Sequence, residues 1–198
     1  GMHRSPYFGQ SVEFLQHREY VPGDDLRHVD WKVWARQDRL VVKQFEEDTN
    51  LRCTMVVDVS HSMQYGNGPL NKFEYAATIA ASLSYLVLQQ QDAVGCITFD
   101  DKIRMRVPIR SKRNHIHSVI DSLDTQSPSD KTDMYAVMRE IAETVPRRGM
   151  IMLISDLLGD IEGTIKGLKL LRQRGHDILV FHVLDDDELD FEFNGAMR

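Results

Sequence analysis

Cysteine is scarce in this 198-residue chain: Cys53 and Cys96 are the only two, each inside an apolar run. There is no CxxC pair and no Cys/His cluster, which excludes a zinc finger or ribbon. Two isolated thiols of this kind fit a reduced interior better than a structural disulfide. Long apolar runs are missing as well. The longest, Ala76 to Leu88, is broken by Ser82 and Ser84 and is far shorter than the roughly 20 residues that span a bilayer. No excess of basic charge is present: the net charge is −6 and the pI near 5.7, which argues against a nucleic-acid partner. The local run Arg110, Lys112 and Arg113 reads as a solvated helix start. Histidines are scattered, and His115 and His117, two apart on an expected helix, face different ways and make a poor metal pair. The expectation is a cytoplasmic domain with no membrane insertion of its own, any anchor lying outside this stretch.

What is present is the composition of an ordinary globular protein, 42% hydrophobic and 27% charged. Two zones separate. Residues 1–50 are polar and irregular, with a turn at Pro22-Gly23-Asp24-Asp25, a short helix expected near 27–37 and a strand near 40–46. Trp31 and Trp34 share a helical face and are expected in the core; residues 22–31 are read as a turn that braces the sheet.

Residues 51–198 alternate strand and helix. Met55-Val56-Val57 is a short apolar run that ends in Asp58, as a buried parallel strand does. A helix from about Lys72 to Gln90 is apolar around most of its circumference and is expected to be covered. Ala93 to Phe99 is a second strand. After the turn at Asp100-Asp101, residues 103–109 alternate apolar with Arg104 and Arg106, the pattern of a half-exposed antiparallel partner. Helices follow around 116–123 and 133–145, then a core strand, Met150 to Ile154, running into Ser155-Asp156. A last helix stops at Gly175, a last strand covers 178–183, and the acidic tail from Asp185 to Glu192 reads as a solvated edge. The fold class is therefore α/β: a doubly wound, mostly parallel sheet with one antiparallel edge strand and a small N-terminal extension.

Ligands on such sheets collect past the carboxyl ends of strands where the strand order reverses. That point falls between Asp58 and Asp156 if strands 93–99 and 150–155 flank strand 52–58. Carboxylates at the mouths of adjacent strands, about 5 Å apart, repel unless a cation sits between them. Ser60 and Ser62 add hydroxyls from the same loop. Hard oxygen donors suit Mg2+, with Mn2+ or Ca2+ as substitutes. Two carboxylates only neutralise a divalent ion, so it stays electrophilic enough to accept a carboxylate from another molecule. Each piece alone is ordinary cap and turn chemistry, and Thr132 alone is most simply a helix N-cap.

Taken together, Asp58-x-Ser60-x-Ser62, Thr132 before a later helix and Asp156 in Ile154-Ser155-Asp156 resemble the metal-ion-dependent adhesion site (MIDAS) of von Willebrand factor A domains, across roughly residues 51–184. Arg18-Glu19-Tyr20-Val21-Pro22-Gly23-Asp24-Asp25, with Asp30-Trp31, Ala35-Arg36, Val42-Lys43 and Phe45-Glu46, resembles the bacterial family called domain of unknown function 58. That resemblance implies an association with a MoxR-type AAA+ ATPase, a chaperone-like or assembly role, and a metal site that docks an acidic residue of a partner or client protein. Ser129-Asp130-Lys131 departs from the glycine-rich approach to Thr132, and Lys131 repels an ion if it faces inward.

Two rivals stand beside this non-enzymatic reading. A metal-dependent hydrolase or phosphatase needs a general base that only Asp58 or Asp156 could supply, and neither a G-x-S-x-G elbow nor a second Asp at position 60 is present. The other rival is a structural domain whose metal site no longer works.

Overall fold

The computed structural model of the chain describes residues 11–24, 26–48, 51–124, 132–146 and 148–188. It divides into two compact units, residues 1–50 and 51–198.

In the first unit, β1 (Ser11–Glu19) and β2 (Val41–Asp48) pair antiparallel, with a bulge between Phe14 and Gln16. The chain leaves β1 through a turn set by Pro22 and by Gly23, whose φ of +105° is cheap only for glycine. Asp24 locks that turn: its carboxylate accepts from Val21 N at 2.9 Å and from two Arg18 nitrogens, each at 2.9 Å. A 3-10 turn at Leu26–His28 precedes α1 (Trp31–Gln37). Asp30 starts α1 by accepting from Lys32 N and Val33 N at 3.1 and 3.2 Å, and it also accepts from His17 Nε2 at 2.9 Å. The placement of Trp31 and Trp34 in a core is corrected here. They are 53% and 45% exposed, and α1 buries none of its side chains. Their three-residue spacing serves an edge-to-face ring contact at 6.2 Å instead.

The second unit is a five-stranded sheet built from β3 (Arg52–Asp58), β4 (Ala93–Phe99), β5 (Ile103–Arg110), β6 (Met150–Ser155) and β7 (Asp177–His182). Its order is β5-β4-β3-β6-β7, parallel throughout except for the β4–β5 hairpin. The α-helices of this unit are α2 (Lys72–Gln89), α3 (Ile116–Ser122), α4 (Met134–Thr144) and α5 (Ile161–Gln173). Alternation along β3 sends Cys53, Met55 and Val57 into one core with α2 and α3, and Val56 into another with α4 and α5. Both cysteines are buried free thiols, and burial raises Cys53 to about 12 and Cys96 to about 11, keeping both protonated at neutral pH.

α2 is less enclosed than its composition predicts. It buries one stripe, Lys72, Ala76, Ala80, Ser84, Val87 and Leu88, while Tyr75, Tyr85 and Leu86 are about half exposed. The small residues at four-residue spacing seat the helix close to the sheet, so Tyr75, Tyr85 and Leu86 stay outside the contact. Thr132 is corrected in one role too. The N-cap of α4 is Asp133, whose carboxylate accepts from Ala136 N at 3.0 Å.

α4 and α5 meet where Gly167 faces Met138: a Cβ on Gly167 lies 2.6 Å from Met138 Cβ. Gly167→Ala should therefore cost about 1–3 kcal/mol by forcing the two helices apart, read as a lower urea midpoint. His176 gives a pH test. It is buried, Gly149 N reaches its Nδ1 at 3.4 Å, and among the described residues its Nε2 has no hydrogen-bond partner. Burial holds its pKa below the ordinary 6.5, so the folded chain binds fewer protons than the unfolded one. Its contribution is intact above the unfolded value and is lost as pH falls below it. Between about pH 7.5 and 5.5, His176→Gln should lose less stability than wild type in paired urea titrations.

Candidate metal site

The strand order reverses at β3, which has β4 on one side and β6 on the other. Asp58 is the last residue of β3 and Asp156 follows the last residue of β6, so two carboxylates emerge from neighbouring strands at the same rim. Both are 1% exposed. Val59 N donates to Phe99 O at 2.8 Å, continuing the β3–β4 ladder past Asp58, and the chain then turns into a 3-10 segment at His61–Gln64. That turn presents both hydroxyls inward.

A run of hydrogen bonds joins the two acids. Ser60 N donates to Asp58 Oδ1 at 2.9 Å, the Ser60 and Ser62 hydroxyls are 3.2 Å apart, and Ser62 Oγ donates to Asp156 Oδ2 at 2.7 Å. Ser155 Oγ donates to Asp58 Oδ2 at 2.6 Å and accepts from Leu157 N at 2.9 Å. On the far side, Asp156 Oδ1 accepts from Leu158 N at 3.1 Å, and His182 Nε2 donates to the Asp156 carbonyl at 3.0 Å. Leu157 adopts a left-handed φ of 54°, unusual for a residue with a branched side chain. In this turn the Leu157 and Leu158 amides fold back on the Ser155 and Asp156 side chains.

The structure thus brings Asp58, Ser60, Ser62 and Asp156 together. Thr132 lies just ahead of the α4 cap, and among the described residues no hydrogen bond joins it to the other four. Lys131, Ser129 and Asp130 fall outside the described residues. Also among the described residues, no three His, Cys, Asp or Glu side chains are grouped to hold a metal. The donor set is all hard oxygen, which fits Mg2+ or Mn2+ and not a soft or nitrogen-seeking metal.

Electrostatics separate the two acids. Burial raises the Asp58 pKa, with the Asp156 charge adding to it, against the opposing hydrogen bonds from Ser155 and Ser60. Asp156 has a partner that sequence reasoning missed. Lys72, 3% exposed, places its ammonium 3.2 Å from Asp156 Oδ2 and 2.7 Å from Glu188 Oε1. Burial pulls the Lys72 pKa down, but the Glu188 and Asp156 contacts outweigh it and the net shift is upward. The ammonium also lies 5.9 Å from the centre of the Tyr65 ring. A signal for Lys72 was available. A lysine in the first turn of a helix opposes the helix dipole, which calls for a nearby anion.

While Asp190 and Glu192 lie outside the described residues, Glu188 departs from the reading of the acidic tail as a solvated edge. Its second oxygen accepts from Asp185 N at 3.0 Å, a box that turns the chain back toward Lys72. Next to it, Asp187 Oδ2 accepts from Tyr65 OH at 3.1 Å and from Asn67 Nδ2. The segment after β7 is thereby fastened to the loop that follows the serines.

The sheet order and its covering helices are those of a von Willebrand factor A-like α/β fold. The family model described as protein of unknown function DUF58 matches residues 16–198, and the chain belongs to that family. It is 31% identical over 185 residues to uncharacterized protein Rv1480 of Mycobacterium tuberculosis and to uncharacterized protein Mb1516 of Mycobacterium bovis. These matches cover 92% of this chain but 58% of those proteins, so the chain spans little more than half the length of its curated relatives. Among solved structures it resembles BatB from Bacteroides thetaiotaomicron, with TM-score 0.55, 19% identity, and coverage of 66% of this chain and 65% of that one. It also resembles an aerotolerance-related membrane protein from Bacteroides fragilis, with TM-score 0.55, 23% identity, and 68% of each chain covered. Manganese-loaded TRAP protein from Plasmodium vivax is a third, with TM-score 0.53, 15% identity, and 75% and 64% covered. At these identities the structural likeness carries the fold alone. No described helix is long and apolar enough to cross a membrane.

The unequal surroundings of the two acids give a test. In metal-free protein, Asp156→Asn leaves buried Lys72 with Glu188 alone and should cost about 3 kcal/mol. Asp58→Asn removes a desolvated charge with no cation beside it and should leave stability within about 1 kcal/mol of wild type or above it. Urea titrations in EDTA measure both. Equal losses would show that Lys72 does not distinguish the two carboxylates.

Proposed function

We propose that this chain is a metal-dependent protein-binding module: a single divalent cation, Mg2+ or its substitute Mn2+ or Ca2+, rests on Asp58, Ser60, Ser62 and Asp156 and accepts an acidic side chain from a partner. The observation that carries this reading is the hydrogen-bonded run from Asp58 through Ser60 and Ser62 to Asp156, set where the strand order reverses. Thr132 remains a candidate ligand through its place before α4. The ion supplies an electrophilic position that neutral hydroxyls leave unquenched. The protein's own part is to hold the donors at one rim and keep Asp58 and Asp156 dry, where charge counts most. We further propose, from the family resemblance, that the partner is a MoxR-type AAA+ ATPase or its client, in a chaperone-like assembly role inside the cell and without catalysis by this chain. A neighbour of the same fold was solved with manganese bound, which is compatible with the choice of ion.

One observation favours a second reading. Lys72 already provides Asp156 with a cation, as it would in a purely structural domain whose metal site is silent.

Calorimetric titration of metal-free protein with Mg2+ and Mn2+ separates the two. The leading reading expects saturable heat that disappears in Asp58→Ala and in Asp156→Ala. It also expects capture of a purified MoxR-type ATPase in Mg2+ and release in EDTA. Absence of heat at millimolar metal leaves the structural reading, and capture that persists in EDTA with both variants rules out a metal bridge.

A further inference from the structure

Asp156 Oδ2 is claimed twice. It takes the Ser62 hydroxyl at 2.7 Å and the Lys72 ammonium at 3.2 Å, and the same ammonium reaches Glu188 Oε1 at the shorter distance of 2.7 Å. A divalent ion held by Ser62 and Asp156 sits within a few ångströms of that ammonium. Both lysine and aspartate side chains are at most 2% exposed, so water does little to screen the repulsion. A lysine stem is flexible and its three donors can change partner without changing position by much. Glu188, 27% exposed and anchored by Asp185 N, is the group toward which the ammonium can retreat.

We propose that Lys72 competes with the divalent ion for Asp156, and that Glu188 decides the competition by drawing the ammonium aside. Lys72 is then a positioning and affinity-setting residue and not a ligand, and a charge in the segment after β7 tunes a site on the far side of the lysine. The inference rests on the metal-binding reading above.

The signs of the variants are diagnostic. Lys72→Met removes the competitor and should tighten Mn2+ binding about five- to tenfold; Glu188→Gln leaves the ammonium on Asp156 and should weaken it by a similar factor. In the double variant the Glu188→Gln effect should vanish, because no ammonium is left to steer. A merely structural role for the ion pair makes both single variants bind more weakly.

The measurement is Mn2+ titration of the four proteins by electron paramagnetic resonance of the free ion, with fold checked by circular dichroism. Thermal unfolding in EDTA and in Mn2+ gives a second readout. Lys72→Met should have a lower midpoint than wild type in EDTA and a larger rise on adding Mn2+. Lys72→Gln serves in its place if the methionine variant does not fold. Shifts of the same sign, no shift in proteins that do bind Mn2+, or an undiminished Glu188→Gln effect in the double variant overturns the inference while leaving the metal site standing. No Mn2+ binding by wild type overturns the metal reading and this inference together.

Discussion

Two buried carboxylates at adjacent strand ends are the constraint around which this rim is organised. Parallel pairing of β3 with both β4 and β6 places Asp58 and Asp156 where neither can reach bulk water. Like charges so placed must be neutralised, hydrogen bonded or protonated. The chain uses hydroxyls and backbone amides for Asp58, and adds an ammonium for Asp156. Much of the local geometry follows, from the left-handed Leu157 to the return of Glu188 toward Lys72.

That asymmetry has a chemical consequence. Among the described residues Asp58 is hydrogen bonded by neutral dipoles only, and burial raises its pKa. Asp156 is already compensated. A divalent ion placed on this rim would have to share Asp156 with Lys72.

Much of the fold was legible because it is written in short-range patterns. The apolar runs at 53–57, 93–99 and 150–154, the alternation over 103–109 and the glycine after α5 each report on neighbours in sequence. The candidate site was legible in part for the same reason: Asp58, Ser60 and Ser62 are one loop, and Asp156 ends a recognisable strand. What escaped were residues whose role depends on distant parts of the chain. Lys72 and Glu188 are 116 positions apart, and no window of sequence links them. Trp31 and Trp34 misled because helical spacing says which residues share a face, not whether that face is covered. α2 misled in the same way, its composition giving no measure of how much of its circumference the sheet encloses.

By itself, then, the sequence determined the order of strands and helices, the doubly covered sheet, the two free thiols and the loop that carries Asp58, Ser60 and Ser62. These follow from hydrophobic periodicity and turn chemistry, which act over a few residues. Tertiary structure alone decided that Asp156 shares its charge with Lys72, that Glu188 returns to complete the pair, and that Asp133 rather than Thr132 caps α4. The reason is physical. Burial and ion pairing depend on which surfaces meet in space, and a buried charge finds its counter-ion wherever the packed chain leaves one within reach.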